Sequence, residues 1–248
     1  MAGSFQPDHR SQLCHAGIAV GSRPTASFPV AFLVVLAVLA SCGDEGAASQ
    51  DWQRSAVGIE AKGCGLVAAV GSGAVVDDAD LVVTTAHTVA GSNEVTVIDL
   101  DGERHAAELL LIDPDQDIAL LAASGLDRPP LEVGTAVIGE AAGRVAWDRR
   151  TGFRTDELTV TDRLSVTIED IYIDHDVDRR ALEFRGPVER GDSGAVLVAD
   201  GLAVGVVYAK ARSSETLGYA LDGSELADAL ATLQAGDRQP VPSGDCVP

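Results

Sequence analysis

At 248 residues, with 46% hydrophobic content and a formal charge of −20 at pH 7, the chain is long enough for one large β domain or two small ones. Its apolar content excludes disorder throughout. The acidic balance argues against a nucleic-acid partner, because neutralising phosphates takes a basic patch.

Residues 1–41 carry an export pattern rather than a fold. Arg10 and Arg23 precede the uncharged run from Phe28 to Ala40, which is shorter than the roughly 20 residues a bilayer span needs. The run ends in Leu39-Ala40-Ser41-Cys42. That sequence resembles the bacterial lipobox, in which a leucine and two small residues precede a cysteine that is lipidated and becomes the mature N-terminus. It predicts a signal over 1–41, lipid on Cys42, a flexible tether over 42–51 and an extracytoplasmic protein anchored to the cell membrane. An ordinary signal peptide cut near Ala40, leaving a secreted protein, and an uncleaved anchor are the competing readings. Cys14 leaves with the signal, so Cys64 and Cys246 remain. In an oxidising setting they form either one disulfide, tying the C-terminal tail to the start of the domain, or two free or buried thiols.

Folding begins near Trp52. Short apolar runs broken by turn residues follow: Gly65–Val70, Ala74–Val76, Leu81–Thr85, Val95–Leu100, Ala106–Ile112 and Ile118–Ala122. After Pro129-Pro130 a second series comprises Ala136–Gly139, Leu158–Val160, Ser165–Ile168, Ala181–Arg185, Ala195–Ala199, Leu202–Tyr208 and Leu217–Ala220. Asp101-Gly102 and Asp200-Gly201 lie between such runs and predict two-residue hairpins, hence antiparallel pairing. The fold class is therefore all-β: two six-stranded antiparallel barrels, one over 52–130 and one over 131–221. The charge-rich segment Arg144–Asp156 reads as an exposed loop. Leu226, Leu230 and Leu233 recur at helical spacing, predicting a C-terminal helix within 222–235, capped by Ser224 and packed on the second barrel. The tail, 236–248, is too short for a further peptide-binding module.

The chemistry starts at Gly191-Asp192-Ser193-Gly194, where a serine stands between glycines. A serine hydroxyl is a poor nucleophile without a base and an acid to orient that base. Leu81–Ala86 leads as an apolar strand into His87, whose imidazole can accept a proton near neutral pH, whereas His105 and His175 have charged neighbours and read as solvated. Within Asp113-Pro114-Asp115-Gln116-Asp117, only Asp117 directly enters an apolar strand, so it is the candidate orienting acid. A calcium loop starting at Asp113 is excluded, since it would want glycine at Ile118 and glutamate at Ser124. No metal or cofactor is expected.

Thr85-Ala86-His87, Asp117-Ile118-Ala119-Leu120 and Gly191-Asp192-Ser193-Gly194, in the order His, Asp, Ser, resemble the trypsin-like serine proteases. The α/β-hydrolases run Ser, acid, His, and want glycine where Ala195 stands. Gly71-Ser72-Gly73-Ala74-Val75-Val76, Arg185-Gly186-Pro187-Val188 and Gly205-Val206-Val207-Tyr208 extend the similarity to bacterial exported HtrA-type members, here without a PDZ domain. The resemblance implies a serine endopeptidase with its active site in the cleft between barrels. Ser193 would be the nucleophile, His87 the base, Asp117 its orienter, and the N–H groups of Gly191 and Ser193 the oxyanion hole. Val207 and Tyr208 would pair with an extended polypeptide substrate, and Pro187, Arg190, Tyr208 and Lys210 would line the primary pocket. Asp192 would need a local partner, water or backbone, because the family's digestive members use a freed N-terminal amine there. Ala195 and Val196 depart from the family's glycine and proline, and the methyl of Ala195 either crowds the cleft or is tolerated. The competing reading is an inactive, protease-like surface module that binds peptides or a partner.

Overall fold

The computed structural model describes residues 51–248. The signal, Cys42 and nearly all of the tether lie outside the described residues. A short 3-10 turn, Asp51–Ser55, leads into β1 (Ala56–Lys62), β2 (Ala69–Val75), β3 (Leu81–Thr84), a single-turn helix α1 (Ala86–Val89), β4 (Glu94–Ile98), β5 (Arg104–Asp113) and β6 (Ile118–Ala123). These strands close into an antiparallel barrel in the order β1-β2-β3-β6-β5-β4. A second closed barrel, β10-β11-β12-β9-β8-β7, is made of β7 (Ala141–Asp148), β8 (Gly152–Glu169), β9 (Asp176–Arg185), β10 (Val196–Ala199), β11 (Leu202–Lys210) and β12 (Leu217–Asp222). Helix α2 (Gly223–Ala235) follows. The all-β, two-barrel architecture with a C-terminal helix is the one the strand pattern predicts.

Three apolar clusters hold this together. Val57, Ile59, Val82, Val97 and Leu121 fill the first barrel, while Leu158, Leu182, Phe184, Leu197 and Val207 fill the second. Leu81, Val83 and Leu120 of one barrel meet Val196, Val206 and Leu221 of the other in a third, which also takes Leu226, Leu230 and Leu233 from α2. The helix therefore seals the seam between barrels rather than covering the second alone. Each such leucine contributes about 1.5–3 kcal/mol by leaving water. The barrels also meet directly at Gly58, where an added Cβ would stand 2.4 Å from the Trp147 ring, so only glycine lets the two strands approach.

Several local expectations are corrected. Arg144–Asp156 is no exposed loop: it is the β7–β8 hairpin, with Arg144 fully buried and Trp147 nearly so. Strand β1 lies in a stretch with no strand expectation, and Gly65–Leu66-Val67 precedes β2 instead of forming it, with Leu66 and Val67 exposed. Ala136–Gly139 lies outside the strands, and the runs at 158–160 and 165–168 belong to one strand, β8. At Asp200-Gly201 both residues have positive φ, as a two-residue hairpin requires. At Asp101-Gly102 only the glycine does; there Asp99 Oδ1 accepts from the N–H groups of Asp101 and Glu103 and organises a longer loop. The cap of α2 is Asp222, which accepts from Ser224 N at 2.9 Å and from Ser224 Oγ at 2.7 Å. The Sγ atoms of Cys64 and Cys246 stand 2.07 Å apart, bringing the tail onto the first barrel, where Val241 N donates to Leu109 O and Gly91 N to Ser243 O. Among the described residues no helix is long and apolar enough to cross a membrane.

Candidate active site

Strand β3 stops at Thr84, and the extended Thr85 turns the chain into α1, whose one turn presents His87. Both oxygens of one carboxylate hold this histidine: His87 N–H donates to Asp117 Oδ1 at 2.9 Å, and Nδ1 lies 2.8 Å from Oδ2. Asp117 is buried and sits at φ +56°, a left-handed conformation that aspartate tolerates better than most residues. A carboxylate facing Nδ1 places the imidazole proton there and leaves Nε2 as the acceptor. Burial pushes the His87 cation down, but the charge and hydrogen bond of Asp117 outweigh it, and the net shift is above the ordinary imidazole range; the Arg179 charge opposes that rise.

The loop between β9 and β10 carries Ser193. Its N–H groups at Asp192, Gly194 and Ala195 donate to Glu189 O, Val207 O and Asp192 O. Those of Gly191 and Ser193 donate to no backbone carbonyl among the described residues. The first barrel grips this loop through Ser72. Ser72 N donates to Ser193 O, and Ser72 Oγ donates to Gly191 O, both at 2.7 Å, while Trp147 N donates to the same Oγ at 2.8 Å. Gly194, at φ +86°, lies so close to this clamp that a Cβ there would stand 2.1 Å from Ser72 O. Gly71 is wedged between Ser193 O and Thr88, the neighbour of His87. The serine loop and the His87–Asp117 pair thus meet at one seam, although both hydrogen bonds of His87 go to Asp117 and none to Ser193.

Asp192 has a stronger partner than the expected water or backbone. Its buried carboxylate lies 2.8 Å from Arg154 Nη2 and 3.1 Å from Arg144 Nη2, and Oδ2 also accepts from Glu189 N at 2.7 Å. Asp156 joins the network at 2.6 Å from Arg144 Nη2. Arg144 rests over the Phe184 ring and also donates to Pro187 O; these polar contacts all fall on Nη2, while Nε and Nη1 are buried without a hydrogen-bond partner among the described residues, so its burial is only partly offset.

The remaining predicted residues fall on several surfaces. Val207 lies in the second core, Pro187 is engaged through its carbonyl by Arg144, and Lys210 is paired with Glu215 at 2.5 Å. Tyr208 is half-buried beneath the Arg179 guanidinium. Arg190 lines a cavity of about 270 Å³ with His87, Cys64 and Val67. Ala195 is fully buried in the second-barrel core, so its methyl points away from the cleft. His105 is not solvated: its side chain is largely buried, with Nε2 3.5 Å from Asp99, whereas His175 is exposed beside Asp115. Sequence reasoning missed the roles of Ser72, Arg144 and Arg154. Only Ser72 carried a signal, in its Gly-Ser-Gly setting.

A family profile described as a trypsin-like peptidase domain matches residues 71–206, which contain His87, Asp117 and Ser193. The chain belongs to this family. The serine protease Rv3671c of Mycobacterium tuberculosis is 36% identical over 172 residues, which cover 68% of this chain and 43% of that protein. The chain therefore spans under half the length of this curated relative. The crystal structure of the Rv3671c protease in its active form superposes with a TM-score of 0.75 at 32% identity, covering 81% of this chain and 89% of that one. A serine endoprotease from Yersinia pestis, at 17% identity and a TM-score of 0.63, covers 76% of this chain and 65% of its own, and shares the fold. An HtrA-type protease, AlgW with a tripeptide, shares it too, at 19% identity and a TM-score of 0.63 over 77% of this chain and 62% of its own. In this trypsin-like chain the acid before the serine, Asp192, is paired with Arg144 and Arg154.

Proposed function

We propose that the chain is a serine endopeptidase, exported and held at the cell membrane by lipid on Cys42, that hydrolyses polypeptides outside the cytoplasm. The observation that carries the catalytic reading is the two-point hold of Asp117 on His87, which leaves Nε2 as the acceptor on a histidine next to the serine loop. In the reaction Ser193 Oγ attacks a peptide carbonyl while His87 Nε2 takes the hydroxyl proton. Asp117 keeps the tautomer and stabilises the imidazolium. The oxyanion accepts from Gly191 N–H and Ser193 N–H, whose freedom from backbone acceptors supports that role; each donor is worth about 3 kcal/mol in comparable sites. The imidazolium returns its proton to the leaving amine, and water then releases the acyl group by the same route. Hydrogen bonds of His–Ser type often tighten only when substrate binds, which accounts for the open His87–Ser193 contact.

In this reading the barrels over 52–130 and 131–221 form the two walls of the cleft, and the substrate lies extended against Tyr208; Val207, expected to share that pairing, is corrected out of it, because its N–H donates to Ala195 O and its carbonyl accepts from Gly194 N. Pro187, Arg190 and Lys210 contribute to its recognition. Cys64 and Cys246 form a disulfide in the oxidising compartment, which the approach of their sulfurs supports.

A fluorophosphonate probe tests the catalytic claim. Residues 43–248 should be labelled, and Ser193→Ala should abolish labelling; folded protein that resists the probe between pH 6 and 9 would instead establish a non-enzymatic binding module. Cys42→Ala should release the full chain from membranes, and its retention there would overturn the lipid anchor.

A further inference from the structure

Arg179 on β9 is almost fully buried, with 3% of its surface exposed, yet among the described residues no carboxylate lies within ion-pair distance of it. A buried guanidinium left without an ion pair is costly unless other groups compensate it. Its hydrogen bonds cross from the second barrel to the first, where Nε donates to Asp115 O at 2.5 Å and Nη2 to Pro114 O at 3.4 Å. Those carbonyls belong to the turn that delivers Asp117 at φ +56°, so the clamp holds the backbone immediately before the carboxylate. The guanidinium carbon also lies 5.8 Å from the centre of the Tyr208 ring, a cation–π distance, and Tyr208 in turn feels the Asp117 charge.

We infer that Arg179 is a positioning residue for catalysis, a clamp from the second barrel that fixes the Asp117 turn and places a permanent positive charge beside the His87–Asp117 pair. The inference rests on the Ser193–His87–Asp117 reading above. The fork of one guanidinium reaches two successive carbonyls, which a single ammonium group cannot match. The charge acts in addition to the clamp: it disfavours a second positive charge on His87 and so opposes the rise that Asp117 causes. Groups facing His87 are Asp117 from the turn before β6, Arg179 from β9 and Arg190 from the serine loop, with Tyr208 of β11 beside the pair.

The test uses residues 43–248, after labelling of the unmodified protein by the fluorophosphonate probe has established the nucleophile. Arg179→Met removes charge and fork, while Arg179→Lys keeps the charge alone. Arg179→Met should lower kcat by about tenfold or more with KM within about twofold, in the range a mispositioned base loses. Its acid limb of kcat/KM should move to higher pH. Arg179→Lys should keep the limb of the parent and still lose several-fold in kcat. A folded Arg179→Met protein with parental kcat and pH profile would sink the inference while leaving the triad intact. If Arg179→Met does not fold, unchanged kcat in Arg179→Lys has the same effect. Failure of the unmodified protein to label would instead strike the parent reading.

Discussion

The Ser72 hydroxyl donates to the Gly191 carbonyl at 2.7 Å and accepts from Trp147 N at 2.8 Å, so one buried side chain of the first barrel fixes the peptide that follows Gly191. Ser72→Ala should leave the Trp147 N–H and the Gly191 carbonyl without this partner, at a cost of about 1–3 kcal/mol. The loop that aims Gly191 N–H should loosen with it. The expected result is a several-fold slower fluorophosphonate reaction together with a lower denaturation midpoint. Loss of stability with parental labelling would show that Ser72 supports the fold alone.

The Arg144–Asp192 pair has the largest expected effect on stability. Arg144→Met removes the fully buried cation of the network and leaves Asp156 and Asp192 to share Arg154 alone; removing one partner of a buried pair costs about 3–5 kcal/mol. Arg154 is partly exposed, so Arg154→Met should cost less. Chemical denaturation of the two variants should rank them in that order, and equal midpoints would contradict it.

Activity should fall on acidification, because His87 must be neutral to accept the serine proton and its cation is favoured by Asp117. The acid limb of kcat/KM is expected above the ordinary imidazole value of about 6.5. The stability linkage follows the same shift. With a folded value above the unfolded one, His87 contributes stability that is full below the unfolded value and is lost as pH rises through the folded value. Asp117→Asn removes the raising influence and leaves burial and Arg179, so the limb should move below its parental position and kcat should drop by about 10⁴. A limb that rises in this variant would contradict the assignment.

Ala195→Gly addresses the departure from the family pattern. The methyl group belongs to the second core, among Leu197 and Val207, and not to the cleft. Glycine there should leave kcat/KM within about twofold and lower stability by roughly 1 kcal/mol, through a small void and a freer unfolded chain. A marked gain in turnover would mean that the methyl does reach the substrate.

Cys64 and Cys246 are separated by 182 residues, so the proposed bond would close a very long loop. Replacing both by serine should cost about 2–4 kcal/mol and free the tail that lies against Leu109 and Gly91. Melting with and without reductant measures it: the parent should respond and the double variant should not.

The sequence made the barrels legible because most strands are apolar runs bounded by turn residues, and it nominated His87, Asp117 and Ser193 as candidates because each lies close to a strand end in a short recognisable motif. What escaped shares one physical cause. Arg144 and Arg154 look solvent-exposed when their charge is counted locally, and of the two carboxylates that pair with the buried Arg144, one stands about fifty residues away at Asp192 and the other, Asp156, meets it only once β7 and β8 pair. Strand β1, with Gly58 and Glu60 among its residues, lacks an apolar run because one position must admit Trp147 and another holds an ion pair with Arg149. His105 escaped in the same way, since Asp99 is its neighbour only after β4 and β5 pair.

The partner of Asp192 has a consequence for how this chain can be handled by the cell. Where the counter-charge is a chain end, competence waits on a cut at one place, and whatever is attached upstream keeps the enzyme silent. Here both guanidinium groups come from a hairpin of the same barrel. With the counter-charge built into the barrel, formation of the Asp192 ion pairs is expected not to wait on a freed chain end.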